Sequence, residues 1–479
     1  MRFAFAKKTL LISLLLPCLY FTAAGAAFLY KLNVSNRVVL NVNLPTFPKL
    51  NSSKRIIIFS PHPDDETLGC AGLIQQAVAA GSQVRVVFLT NGDGFRVAVA
   101  RQLRRVDLTP QDYIQFAGMR QNETYAALGN LGLGKENVTF LGYPDRGLMP
   151  LWNDFWKSDK LFTSAYTKVN RSPYSIAYQH SAKYCGETVL ADIEKIVREF
   201  QPTDILVTHP SDDHLDHSAA SSFVTMAYLQ LKSASYSWVD KCKLSYYLVH
   251  RGDWPVPQGL YKENQLVPPT EMQKLDTKWT TLGLSATEIN RKEKSIELYE
   301  SQTGVMKRFL MSFARHSEIY GSLAPSIINP VPEMSIRPDG DVADWKGIAP
   351  AALDPVNDSL LRDFQRGGDL RAIYAVHDSK NLYLRFDTYK PVSSQIEFLV
   401  HLRYFDCSKS DQSSGMVTVK LKSFNKSAPP EFVTSVKGSI VEISIPLTAI
   451  GNSHNIAVAV ESRVAGLLVD STGSRFMSW

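Results

Sequence analysis

The stretch RIIIFSPHPDDETLG, Arg55 to Gly69, sets a run of large apolar residues directly ahead of one histidine and three acids. An unbroken apolar run reads as a strand buried on both faces. The spacing from Thr67 to Ala80 reads as a helix. Between them, His62, Asp64, Asp65 and Glu66 crowd charge at the point where a strand leaves a core. Adjacent acids repel one another, so the arrangement calls for a cation, and a metal ion is the simplest one.

The same alternation continues along the chain. QVRVVFLT (Gln83 to Thr90), NVTFLGY (Asn137 to Tyr143), TDILVTHP (Thr203 to Pro210) and LSYYLVH (Leu244 to His250) read as strands. Pro110 to Leu131, Glu187 to Phe200 and His217 to Leu231 carry helical apolar spacing. This order implies an α/β fold, a Rossmann-like, mostly parallel sheet with helices on both faces. Such sheets bind ligands beyond the carboxyl ends of their strands. PHPDDE follows one strand and SDDHLDH follows another, so the two clusters are expected at one mouth of the sheet.

The 479 residues exceed one ordinary domain. Hydrophobic residues make up 44% and charged residues 20%, the balance of a chain with a packed core. The net charge of +6 is mild and no basic stripe is interleaved with aromatics, which argues against nucleic acid as a partner. Residues 1–30 are read as a transmembrane anchor or signal peptide, because Thr9 to Tyr30 is uncharged and follows Arg2, Lys7 and Lys8. The expected location is outside the cytoplasm, membrane-anchored through this segment, or secreted if it is cleaved. Residues 31–53 read as a stem and 54–325 as the α/β domain. Beyond a Pro-rich junction, residues 326–479 show short alternating runs such as LRAIYAVHD and LYLRFDTY, expected to form an antiparallel β-sandwich. Five cysteines show no CxxC pair, and their pairing is not readable from spacing.

Catalytic zinc sites typically take three protein ligands and keep a position for water. His62, Asp65 and His217 form such a set. Asp64 adjoins a ligand, yet successive residues in an extended turn face different ways, so it is expected to act as the base. His214 lies three residues before His217 and shares its face if Leu215 begins a helix. As an imidazolium it would stabilise an oxyanion and protonate a leaving amine. Asp212, Asp213 and Asp216 are all candidates for orienting the imidazoles. Glu66 is assigned to capping or support and His209 to the strand end, while His250 has no assigned role. Asp145, beyond a strand end, is a candidate for a sugar hydroxyl or a turn residue. WNDFWKSDKLF, Trp152 to Phe162, reads as an aromatic rim for a glycan or as packing beneath a loop.

PHPDDETLG after an apolar strand, with HPSDDHLDH much later, resembles the PIG-L/LmbE family of zinc-dependent de-N-acetylases. MRQNETYAALGNLGL, VTFLGYPDRGL, KEKSIELYESQ and FARHSEIYG extend the resemblance over roughly Arg55 to Leu323. It implies zinc on His62, Asp65 and His217, with iron(II) fitting similar ligands. It also implies Asp64 as general base, His214 assisting at the oxyanion and leaving group, and Arg120 as a substrate contact. The implied reaction removes an acetyl group from an N-acetylglucosamine-type sugar in a polysaccharide or glycoconjugate. Where some members carry a tyrosine two positions before the first histidine of the second motif, this chain has Asp212. IRPDGDVADWKG and the following NLYLR run resemble family-nine-like carbohydrate-binding sandwich modules, which implies glycan binding. The rival readings are an amidase for another acyl group or a thiol conjugate, and a glycan-binding protein whose metal is structural. Oligomeric state is not legible.

Overall fold

In the computed structural model, which describes residues 42–356, 358, 366–405, 414–422, 425–427 and 431–479, the centre of the molecule is the strand β1 (Arg55–Ser60). Its side chains alternate between two cores: Ile57 and Phe59 join one apolar cluster, Ile56 and Ile58 the other. That two-sided burial is why its sequence is continuously apolar. The expected anchor or signal peptide, the stem as far as residue 41, Cys18 and Cys407 lie outside the described residues. Among the described residues no helix is long and apolar enough to cross a membrane. Cys70, Cys185 and Cys242 are buried free thiols.

After β1 come α1 (Asp65–Ala79), β2 (Gln83–Thr90), α2 (Arg96–Leu103), α3 (Pro110–Asn130), β3 (Val138–Tyr143), α4 (Leu148–Asn153) and α5 (Gly186–Phe200). They are followed by β4 (Asp204–Thr208), α6 (Leu215–Ser233), β5 (Lys243–Tyr247), β6 (Lys278–Gly283), α7 (Ala286–Glu297), α8 (Glu300–Met311) and β7 (Ser317–Ser322). The sheet order is β3-β2-β1-β4-β5-β7-β6. The five strands from β3 to β5 are parallel, and β7 runs antiparallel to both of its neighbours. The winding reverses between β1 and β4, which makes their carboxyl ends the topological switch point of the sheet.

Two helices begin earlier than periodicity implies. Asp65 opens α1 and Leu215 opens α6, two residues ahead of Thr67 and His217. The first turn of a helix needs no apolar face, and acids there face the positive end of the helix dipole. Both motif loops thus pass directly into helices, with Asp64 and His214 as the N-cap residues.

A buried ion pair fixes α1 from behind. Lys292 Nζ donates to Glu318 at 2.7 Å and to the Leu68 carbonyl, while Glu318 accepts from the amides of Gly72 and Leu73. These residues belong to the KEKSIELYESQ and FARHSEIYG stretches, whose place in the fold is to hold the helix that starts at the first acid cluster.

The C-terminal part contains two strand-rich sheets. One has the order β10 (Ala352–Leu353), β11 (Leu370–His377), β12 (Asn381–Thr388), β17 (Ile440–Pro446), β16 (Val433–Lys437), with β9 (Asn329–Pro330) on β11. The other has the order β15 (Asn425–Ser427), β14 (Gly415–Lys422), β13 (Ile396–Phe405), β18 (Asn455–Val464), β20 (Arg475–Ser478), β8 (Ser326–Ile327), with β19 (Leu467–Ser471) on β18. Leu384 and Ile443 from the first sheet meet Val400 and Val458 from the second in one core, giving the sandwich. The last strand of the α/β sheet ends at Ser322, and β8 (Ser326–Ile327) already pairs within the sandwich.

The outer face of the second sheet packs on the α/β domain. Phe405, Ala457 and Phe476 join the core that holds Trp152, Trp156 and Phe223. Arg403 lies over both indoles, 4.6 Å from the Trp152 ring centre and 3.7 Å from that of Trp156. Of the two readings of Trp152 to Phe162, an aromatic rim or packing, its tryptophans take the second, because both are buried in this interface.

Lys292→Met leaves the Glu318 carboxylate buried without its cation. The expected cost is about 3–5 kcal/mol, read as a lowered urea midpoint.

Candidate active site

The loops after β1 and β4 meet at the switch point. His62 Nδ1 lies 3.2 Å from Asp65 Oδ2 and 3.2 Å from His217 Nε2, and Asp65 Oδ2 lies 3.0 Å from His217 Nε2. Four-coordinate zinc with bonds of about 2.0–2.1 Å spaces its ligand atoms about 3.3 Å apart. The triangle matches that spacing to within a few tenths of an ångström.

The outward nitrogens are also provided for. His62 Nε2 lies 3.3 Å from Asp216 Oδ2 and 3.3 Å from Asp145 Oδ1; His217 Nδ1 lies 3.3 Å from Asp212 Oδ2. A carboxylate facing one ring nitrogen favours the proton there and leaves the other nitrogen's lone pair for the centre. The choice among the three acids of SDDHLDH is now made: Asp212 serves His217, Asp216 serves His62, and Asp213 faces Arg251 at 2.9 Å.

The electrostatics point the same way. Burial opposes charge on both imidazoles, yet the surrounding carboxylates outweigh it. His62 is pushed well up, first by Asp145, and His217 up to about 9 by Asp212 and Asp65. Burial alone would raise Asp65, but His217 and His62 hold its carboxyl well below the usual range. The donor set attracts positive charge, as a metal centre built on carboxylates and imidazoles must.

Asp64 has φ 115°, a region that non-glycine residues avoid at a cost of about 1–3 kcal/mol. This backbone separates the direction of Asp64 from that of Asp65. The Asp64 amide donates to Glu66 Oε2, and Glu66 Oε1 accepts from Thr67 Oγ1 and the Tyr299 hydroxyl at 2.6 Å each. Glu66 is thus a buried support, matching the supporting role expected of it. Arg120 donates to the carbonyls of Pro63 and Gly92 and lies 3.3 Å from Asp64 Oδ1. Its guanidinium braces the motif loop from behind while also lining the cavity. Asp145 accepts from the Gly94 amide at 2.7 Å and faces His62, so its carboxylate is engaged within the protein.

His214 differs from the expected imidazolium. Its Nδ1 lies 3.3 Å from the Asp216 amide, placed to accept that N–H through a lone pair. Burial and the neighbouring His62, His217 and His250 push its pKa well below the ordinary value. Both observations favour a neutral imidazole with its proton on Nε2.

His250 is the residue that motif reading left unassigned. It lines the same cavity, its ring 5.0 Å from His217 and stacked on Phe309 at 5.2 Å. Asp212 Oδ2 accepts its amide at 2.9 Å. The signal was available: His250 ends LSYYLVH, just past the carboxyl end of β5, where the strand-end rule applies as it does at β1 and β4. The cavity above these groups measures about 160 Å³, with Phe95, Met306, Phe309 and Leu310 on one wall.

Asp212→Asn and Asp216→Asn are each expected to weaken metal binding about 10–100-fold by chelator competition. Asp213→Asn, whose carboxylate faces Arg251 instead of an imidazole, leaves that affinity unchanged.

The family profile described as PIG-L, GlcNAc-PI de-N-acetylase, matches residues 57–228. Over 181 residues the chain is 29% identical to 1D-myo-inositol 2-acetamido-2-deoxy-alpha-D-glucopyranoside deacetylase 1 of Saccharopolyspora erythraea, covering 37% of this chain and 54% of that protein. It is 38% identical over 81 residues to the deacetylase of the same description from Mycobacterium avium, covering 17% of this chain and 26% of that protein. The chain thus spans about half the length, or less, of these relatives. Among solved structures, N,N'-diacetylchitobiose deacetylase from Pyrococcus horikoshii aligns with a TM-score of 0.34 and 19% identity, over 57% of this chain and 86% of that one. Residues 57–228, which carry β1 from Ile57 on, β4 and both loops of the triangle, are a domain of the PIG-L family.

Proposed function

We propose that the chain is a zinc-dependent hydrolase that removes the N-acetyl group from an N-acetylglucosamine-type sugar in a polysaccharide or glycoconjugate. The observation that carries this reading is the triangle of His62 Nδ1, Asp65 Oδ2 and His217 Nε2, with Asp64 and His214 beside it and outside it. A structural metal centre would need neither flanking group, which favours an enzyme over a glycan-binding protein with a structural metal. The relatives' names describe deacetylases of a 2-acetamido sugar.

In this reading His62, Asp65 and His217 hold the zinc; iron(II) suits the same donors. When bound, such an ion polarises a carbonyl and makes water more acidic. Asp64, directed away from Asp65 and into the cavity, accepts the proton of the attacking water. Burial pushes its carboxyl up to about 8 against the pull of Arg120, and a cation in the adjoining centre favours the ionised form. The same carboxyl then carries the proton to the departing amine. His214 presents Nε2–H to the carbonyl oxygen as negative charge develops there. Its neutral state gives the acid step to Asp64 rather than to the imidazole.

One observation favours a second reading. Phe95, Met306, Phe309 and Leu310 add apolar surface to the cavity lining. An acyl chain longer than acetyl, or an apolar aglycone, would bury against it.

The remaining assignments belong to the same proposal. Residues 54–325 act as the catalytic unit, and the sandwich of residues 326–479 holds glycan near it. Thr9 to Tyr30 exports the chain and anchors it unless cleaved. Protease treatment of intact cells tests the last point: digestion of the catalytic domain supports export, and full protection rejects it.

The zinc-loaded protein is expected to release acetate and free amine in equal amounts from N-acetylglucosamine oligomers. Asp64→Ala should retain its zinc and lose about 10²–10⁴-fold in kcat. His214→Ala should lose about 10²–10³-fold with little change in KM. Undiminished turnover in Asp64→Ala rejects the base. A longer acid in place of acetate selects the second reading.

A further inference from the structure

A second group of carboxylates lies where the sandwich meets the α/β domain, away from the catalytic cavity. Asp354 and Asp358 follow β10 (Ala352–Leu353), and Asp470 belongs to β19. Their side-chain oxygens lie within 4.8 Å of one another. Asp470 satisfies its oxygens on the amides of Leu370 and Ser471. Asp358 meets Arg251. Asp354 differs: it is 3% exposed, and neither of its carboxylate oxygens has a hydrogen-bond partner among the described residues.

An orphaned carboxylate at that depth, aimed at two others, is costly unless something cationic joins it. The nearby arginines, Arg251 and Arg475, act on Asp354 through space but donate no hydrogen bond to its carboxylate. Arg251 pairs with Asp358 and Asp213. Arg475 donates to Ser211 Oγ and the Leu353 carbonyl, and its nearest carboxylate is Asp276 at 3.7 Å. Burial, together with acidic neighbours, pushes the carboxyls of Asp354 and Asp470 well up, which marks a place short of positive charge.

We propose that Asp354, Asp358 and Asp470 form a second cation site, for a hard divalent ion such as calcium, between the two domains. An all-oxygen donor set selects hard ions over zinc. Oxygens spaced up to 4.8 Å apart can be joined by one ion at Ca–O distances of about 2.4 Å. Two of the three carboxylates, Asp358 and Asp470, line an interdomain crevice of about 50 Å³ together with Arg251, Gly473, Pro210 and Asp212. The far wall of this crevice is the loop whose Asp212 orients His217. The ion therefore ties the sandwich to the back of the catalytic loop without touching the catalytic triangle.

The test is equilibrium dialysis of radioactive calcium against the zinc-saturated full-length protein. One calcium per chain is expected, with a higher Tm when calcium is added. Asp354→Asn should weaken calcium binding at least tenfold and abolish the Tm increase. Asp65→Asn, in the catalytic triangle, should change calcium affinity less than twofold. If Asp354→Asn folds poorly, Asp358→Asn serves instead, because that side chain lines the open crevice. The proposal is overturned if the zinc-saturated parent binds no calcium at 1 mM. It is equally overturned if binding survives substitution at the interdomain aspartates or disappears in Asp65→Asn.

Discussion

The adjacency of β1 and β4 is the constraint on which the rest of the site depends. Both strands are buried on both faces, so polar groups can enter the sheet region only at strand ends. The winding reverses between these two strands, and the helices that follow them depart to opposite sides. The gap that opens there receives one loop from each strand. His62 and Asp65 lie more than 150 positions before His217, and the three still converge to 3.0–3.2 Å.

Convergence of this kind concentrates negative charge, and the surrounding structure is organised to bear it. Asp212 and Asp216 each stand behind an imidazole and also accept backbone amides: Asp216 from Arg146 and Leu148, Asp212 from His214, Val249 and His250. Each acid therefore fixes a loop as well as a ring. Glu66 does the same from the other side, joining the amide of Asp64 to the hydroxyl of Tyr299 on the segment between α7 and α8. The positive φ of Asp64 is held within this frame, where the supporting hydrogen bonds offset its local strain.

The sandwich contributes to the same frame from outside. Arg403 lies over two indoles, and the chain around the β19–β20 turn reaches α6 and the loop beyond β4: Ser474 meets Ser222 of α6, and Arg475, at the start of β20 (Arg475–Ser478), meets Ser211 of that loop. Gly473 packs so closely on the Pro210 carbonyl that an added Cβ would lie 2.1 Å from it. An apolar face and a close backbone approach make this a fitted interface, so the position of the second motif loop depends on both domains.

The amino-acid order by itself determined the buried strands, the helices after them and the placement of acids and histidines at strand ends, because these rest on periodicity and short-range spacing. It marked His62, Asp64, Asp65, His214 and His217 through their residue types and positions. It left the orienting acids unresolved, because three aspartates within five residues differ only in the directions that the start of α6 imposes. It left His250 unassigned, because no local motif announces a lone histidine after the fifth strand. It read Trp152 and Trp156 as rim or packing alike, because burial by another domain is not a local property. Only the tertiary structure decided these points, along with the downward shift of the His214 pKa and the meeting of Asp354 with Asp470. Each depends on which strands and domains become neighbours, and that choice is made by the burial of whole faces, not by any single stretch of the chain.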